Sequence, residues 1–249
     1  LLDRTFQKFP LDTGKVGCHY PPPREKLLEM LKMEEFIRMS PEYSEECTKV
    51  KDEVNGWLRI SEEVQQKVAH LYGYQDPLSN LLAVNYIRRA PYLFPEDPEF
   101  SQTQVYVRNN LANLGNLEIG TEFPNVPLID LSGEKINSHH ILNPDKYNVI
   151  IASSATWQPF RAIIDILNSD IVTRFESVAN FTMVYISEAH AADVWPIGLS
   201  AGVINYKHQN ISDRIRCAKN MKEDHHFNMP IVIDSMNNTF RDTFAAWPF

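Results

Sequence analysis

The eight residues Ser153-Ser154-Ala155-Thr156-Trp157-Gln158-Pro159-Phe160 lie between a mostly apolar run, Tyr147 to Ala152, and a stretch with helical spacing. A loop so placed leads into a helix N-terminus, whose unpaired N–H groups and positive partial charge lower the pKa of a thiol or selenol and enrich its reactive anion. No such group is present, and Trp157 occupies the loop. Indole forms no nucleophilic anion and no covalent redox intermediate. Cys18, Cys47 and Cys217 are far apart and odd in number, with neither a C-x-x-C pair nor zinc spacing, which points to a reducing compartment. Cys217 reads as a small buried apolar residue on a helix. The pairs His139-His140 and His225-His226 lack suitably spaced cysteine or carboxylate ligands, and neighbours on a strand point apart, so both read as loops and no metal is expected. Sequons occur at Asn180, Asn210 and Asn237, the first directly before an expected buried strand.

The elements that must position this loop change character near residue 120. Residues 1–23 read as irregular and end in three prolines. A helix is expected over about 24–39, and Ser40-Pro41 as the cap and first turn of the next. Tyr43, Cys47, Val50, Val54 and Trp57 then form one helical stripe. Ser61 with Glu62 and Glu63 reads as another helix start, with Val64, Val68 and Leu71 on one face. A further helix from Leu78 is expected to stop before Pro91, and 91–120 reads as a connection with one helical piece.

Beyond it strands and helices alternate. Val126 to Leu131 and Tyr147 to Ala152 read as strands, the second buried on both faces. A helix opens at Pro159, with Phe160, Ile163, Ile164, Leu167 and Ile171 on one face. Phe181 to Ile186 is the next strand, Ser212 caps a helix, Ile231 to Ile233 is a core strand, and Asn238 to Ala246 a last helix. The crossover implies a right-handed parallel βαβ unit. Pro230 at a strand entrance fits a cis Met229-Pro230 bond, as in thioredoxin-like domains. The expected class is α/β: a mainly helical N-terminal region, 1–119, and a thioredoxin-like domain, 120–249. The last hairpin strand and helix usual in such a sheet would lie beyond Phe249.

The loop resembles that of the iodothyronine deiodinases, Gly-Ser-Cys-Thr-Sec-Pro-Pro-Phe. Ser154, Thr156, Pro159 and Phe160 coincide with it, while Ser153, Ala155, Trp157 and Gln158 replace the glycine, cysteine, selenocysteine and first proline. Tyr185 to Trp195 (YISEAHAADVW) is similar to the family's Tyr-Ile-Glu-Glu-Ala-His-Ala-Ser-Asp-Gly-Trp, His208 to Arg214 to its His-Gln-Asn-Leu-x-Asp-Arg, and Met229 to Met236 to its Pro-Val-Val-Val-Asp-Thr-Met. With the entry strand, Gly120 to Leu131, the resemblance covers about 120–246. Residues 1–119 show none and stand where the family carries a membrane anchor.

The resemblance implies reductive removal of iodine from thyroid hormone by a selenolate, with Thr156, Glu188 and His190 in the catalytic segment and His208 and Pro230 toward the substrate. Histidines titrate near neutral pH and suit proton transfer; alternatively, His190 and His208 only hydrogen-bond a loop. Without the selenocysteine, the expectation is a redox-silent domain without a cofactor, binding or structural in role, in a larger assembly with protein partners. An iodinated phenol or thyronine ligand stays open. Some genetic codes read the selenocysteine codon as tryptophan, so a selenocysteine or cysteine at 157 would make an active deiodinase or related oxidoreductase. The joint changes at Ala155 and Gln158 favour divergence. A peroxiredoxin-like activity would need a cysteine in this loop. The net charge of −8 argues against a nucleic-acid partner, no apolar run reaches the ~20 residues of a membrane span, and the expected location is intracellular, in the cytoplasm.

Overall fold

A computed structural model of the chain describes residues 21–249; the readings for earlier positions, Cys18 among them, lie outside the described residues. The chain divides into two compact units. One comprises the described residues up to Arg38 together with Leu58–Arg108, the other Met39–Trp57 together with Asn109–Phe249.

The first unit is helical. It contains α1 (Arg24–Arg38), α3 (Gly56–Leu71) apart from its first turn, α4 (Pro77–Leu93), α5 (Pro98–Thr103) and most of α6 (Val105–Asn109); α2 (Pro41–Lys49) belongs to the other unit. Leu27, Met30, Leu31, Val68, Ala83, Ile87 and Phe100 are buried, the apolar stripes of their helices turned inward. Two expected boundaries are wrong. Helix α3 starts at Gly56, so Ser61 is a buried residue inside it, not its cap, and Leu71 is 60% exposed. Helix α4 runs through Pro91. Proline cannot donate to the carbonyl four residues back, and that carbonyl, on Ile87, accepts a hydrogen bond from Gln104 Nε2 at 2.9 Å instead. The 91–120 connection holds two short helices, α5 and α6, rather than one.

In the second unit, Ser40 caps α2 as its type suggests, accepting from Tyr43 N, with Pro41 in the first turn. The stripe drawn on to Trp57 does not hold: α2 ends at Lys49 and Val54 is 90% exposed. Residues 50–55 turn the chain, with Asn55 in the left-handed region, and Trp57 falls in the first turn of α3.

The sheet comprises β1 (Pro127–Ile129), β2 (Lys135–Asn137), β3 (Tyr147–Ser153), β4 (Ala179–Tyr185) and β5 (Ile231–Asp234), ordered β2-β1-β5-β4-β3. β3, β4 and β5 are parallel, and β1 is antiparallel to β2 and β5. Sequence reading missed β2, whose three residues follow the Ser132-Gly133-Glu134 turn. Along β4 the side chains alternate between two cores. Met183 and Tyr185 pack with Phe160, Ile164, Ala218 and Met221 on one face; Val184 packs with Leu128, Val232 and Phe240 on the other. β3 is a sheet edge with its first three residues exposed, not a strand buried on both faces.

The crossover from β3 to β4 is not one helix. It is α7 (Gln158–Arg161), α8 (Ile164–Ile166), a π-helical turn (Leu167–Val172) and α9 (Thr173–Phe175). Ser169 Oγ donates to Asp165 O at 2.7 Å and Thr173 Oγ1 to Asn168 O at 3.3 Å, hydroxyls engaging the backbone carbonyls of this irregular helix. Helix α10 (Ile211–Asp224) is capped by Asn210, whose Oδ1 accepts from Asp213 N at 3.0 Å, and not by Ser212. Helix α11 (Thr239–Thr243) follows β5. Met229-Pro230 is not cis; among the described residues the cis bond is Trp247-Pro248. Pro230 needs no unusual bond, because the ladder uses its carbonyl, which accepts from Met183 N at 2.9 Å. Among the described residues no helix is long and apolar enough to cross a membrane.

Candidate functional site

Parallel strands β3 and β4 end side by side, so the loops after them meet. Five hydrogen bonds join these loops. Ala155 N donates to Tyr185 Oη at 3.2 Å, Ala189 N to Ser154 Oγ at 3.2 Å, and His190 N to Thr156 Oγ1 at 3.1 Å. Thr156 N and Oγ1 donate to Glu188 Oε2 at 3.1 and 2.7 Å. Thr156, Glu188, His190 and His208 are all buried, and the structure brings these four expected site residues together. Pro230 stands exposed at the entrance of β5.

Glu188 is the hub. Its other oxygen, Oε1, accepts from Tyr185 Oη and from Asn205 Nδ2, the latter at 3.0 Å. His208 Nε2 lies 3.3 Å from the same oxygen, close but poorly aligned for a hydrogen bond. Arg214 Nε donates to His208 Nδ1 at 3.1 Å, which makes Nδ1 the acceptor and puts the neutral ring's proton on Nε2, toward the carboxylate. Arg214 is positioned by the first turn of α10 and bonds in addition the carbonyls of Asp234 and Ser235 and the side chain of Asn238. Burial is the largest influence on Glu188 and pushes its pKa up, but His208, Tyr185 and Thr156 together outweigh it and leave the carboxyl below its usual 4.5. A carboxylate held ionised in this way accepts hydrogen bonds at neutral pH and carries no proton to give.

Glu188, His208 and Cys217 bring an oxygen, a nitrogen and the sulfur within 4.8 Å of one another. A cation on Nε2 would need the proton on Nδ1, where Arg214 already donates; ligating histidines ordinarily donate from their second nitrogen. The donor set therefore does not suit a metal. Burial, then Glu188, pushes the Cys217 thiol up to about 11, so it is no nucleophile. Tyr185 is also raised, first by burial. Both groups keep their protons longer in the folded chain; for Cys217 the associated stability is present below pH 9 and is lost as pH rises toward 11. For Cys217, allowing for solvent screening, the loss is about 1–2 kcal/mol. Urea titrations at pH 8 and 10.5 should show a smaller alkaline loss in Cys217→Ala than in the parent; equal losses would rule out the sulfur as the source.

Trp157 is half-buried at the N-cap of α7 and makes no side-chain cap bond. The helix expected to polarise this loop has only four residues before the crossover breaks, so any macrodipole is short. The indole lies nearly parallel to the His190 ring, 12° between planes and 6.1 Å between centroids. Trp57 meets the same imidazole edge-on at 5.3 Å, and Trp195 lies at 4.7 Å. Three of the four tryptophans thus enclose His190. Sequence reading gave no role to Tyr185, Asn205, Arg214, Trp57 or Trp195. Tyr185, Trp195 and Arg214 stand inside the matched motifs and could have been found there; Trp57 stands outside them.

The fold and site define a thioredoxin-like α/β domain with an aromatic ring, that of Trp157, at the turn from β3 into α7. The iodothyronine deiodinase family model matches residues 101–248, and the chain belongs to that family. The match begins ahead of the resemblance seen from residue 120. The type I iodothyronine deiodinase of Xenopus laevis is 36% identical over 133 residues, 52% of this chain and 50% of the relative. The type II iodothyronine deiodinase of Homo sapiens is 37% identical over 110 residues, 40% and 38% respectively. The thyroxine 5-deiodinase of Gallus gallus is 29% identical over 130 residues, 52% and 49%. The chain spans about half the length or less of these relatives.

Proposed function

We propose that this chain is a redox-inactive member of the deiodinase family with a binding or structural role, working with protein partners in a larger assembly. The observation that carries this reading is the indole of Trp157 at the family's selenocysteine position, stacked on His190. Ala155 removes the neighbouring cysteine, and the remaining described cysteines, Cys47 and Cys217, are buried. Reductive deiodination converts a C–I bond to C–H, releases iodide and a proton, and oxidises two thiols to a disulfide. It needs a selenium or sulfur atom to take iodine from the ring carbon, and indole offers none. Purified chain mixed with iodinated thyronine and a dithiol is expected to release no iodide above the protein-free rate; enzyme-dependent release would overturn the proposal.

The names of the relatives favour a second reading, an active deiodinase with selenocysteine or cysteine at position 157 of the natural protein. The Thr156–Glu188–His190 arrangement would then surround the reacting group. The peptide spanning residue 157, taken from the natural source and weighed by mass spectrometry, separates the two readings: tryptophan supports the first, selenium or sulfur the second.

A further inference from the structure

A groove of about 660 Å³ opens between α3 and α4, within the first unit and ahead of the span matched by the family model. The two helices are antiparallel: Arg88 reaches Glu62, and Asn80 Nδ2 donates to Gln66 O at 3.0 Å. Glu62, Glu63, Lys67 and His70 stand along the α3 wall, and Leu81 and Val84 along the α4 wall. From Glu62 to His70 the wall runs about 12 Å, a little over two helical turns.

Helix α4 is apolar on two sides. Ala83, Val84, Ile87 and Ala90 are buried, while Leu78 and Leu81 are 55% and 57% exposed. At the helical period these two leucines share a side, roughly opposite the buried set. A helix with one face on a core ordinarily carries polar residues opposite, so this pair is apolar surface that a partner would cover. Charge on the α3 wall selects the partner. Glu62 is paired with Arg88 at 3.4 Å and Glu63 with Arg59 at 2.9 Å. Lys67 has no ion-pair partner among the described residues, and both it and His70 are exposed. The groove thus sets an apolar wall beside one unbalanced cation. A groove of this length suits an amphipathic helix, whose anchors recur at i, i+3 and i+4. A basic helix would bring its ammonium against Lys67 and find both carboxylates already engaged; an acidic one supplies the missing counter-charge.

We infer that this groove docks an acidic amphipathic helix of a protein partner, its apolar face on Leu78 and Leu81 and a carboxylate on Lys67. The inference rests on the partner half of the proposed function, and residue 157 plays no part in it. Fluorescence anisotropy of the full chain with two labelled helical peptides of about 15 residues tests it. Both carry leucines at i, i+3 and i+7; one has glutamates beside them, the other lysines. The glutamate peptide should bind about fivefold more tightly, the scale of exchanging attraction for repulsion at an exposed pair. Lys67→Glu should reverse that order. Leu81→Lys should weaken the glutamate peptide at least tenfold, and Leu78→Lys provides a second variant should the first fold poorly. Absence of binding, equal binding of the two peptides, or an unchanged order in Lys67→Glu would overturn the site. Self-association of the chain in sedimentation that Leu81→Lys abolishes would give the groove to a second copy and overturn the helical partner. Iodide release would sink the redox-inactive reading and leave this one standing.

Discussion

Glu188→Ala should lower the stability of the chain by about 3–5 kcal/mol, the range for removing one partner of a buried charge cluster. The carboxylate is the shared acceptor for Thr156 N, Thr156 Oγ1, Tyr185 Oη and Asn205 Nδ2, and sits beside His208 Nε2. Alanine would leave those buried donors without their acceptor, each at a desolvation cost of about 1–3 kcal/mol before relaxation. Glu188→Gln keeps the volume but turns one acceptor into a donor facing donors, and should cost about 1–3 kcal/mol. Urea unfolding followed by tryptophan fluorescence measures both. A loss below about 1 kcal/mol for alanine would mean that water or a rearranged loop satisfies these groups. The effect has a pH signature. The folded-state pKa of Glu188 lies below its usual 4.5, so its contribution is present above that value and disappears as pH falls through the folded pKa. Parent and Glu188→Gln should therefore converge in acid.

Gly198→Ala should cost about 2–5 kcal/mol and release the segment around α2. Gly198 has φ +53°, and a Cβ there would lie 2.1 Å from Ser44 O and 2.4 Å from Thr48 Oγ1. Ser44 O is backbone within α2 and cannot swing aside. The left-handed conformation accounts for about 1–2 kcal/mol of the cost and overpacking for about 1–3. Gly73 separates the two contributions: its φ is +94° but its surroundings are open, so Gly73→Ala should show the backbone cost alone. Thermal melting and limited proteolysis within 39–57 report the outcome. A Gly198→Ala variant as stable and as resistant as Gly73→Ala would show that α2 does not press on this turn.

Local rules account for much of this chain. Ser40 before Pro41 caps α2, and the alternation of Met183, Val184 and Tyr185 sorts them to opposite faces of β4. The segments carrying the family resemblance were recognisable because their spacing is a local property. So was the absence of a redox atom at Trp157, since chemistry of that kind depends on the presence of an element, whatever its surroundings.

Tertiary structure decided the rest. Helix α4 continues through Pro91 because Gln104, distant in sequence, takes the carbonyl that proline leaves unused. The crossover helix breaks although its apolar spacing was close to ideal, a pattern that records which side faces the core but not how backbone carbonyls are shared. The convergence on Glu188 draws donors from three separate stretches of chain, at Thr156, Tyr185 and Asn205, and no single-window pattern encodes it. Trp57 is the clearest case. One position in a helical stripe by sequence, it becomes a wall of the His190 enclosure only because the turn at 50–55 delivers Met39–Trp57 to the deiodinase-type domain. Residue type sets what each group can do; the closing of distant segments upon one another sets what it meets.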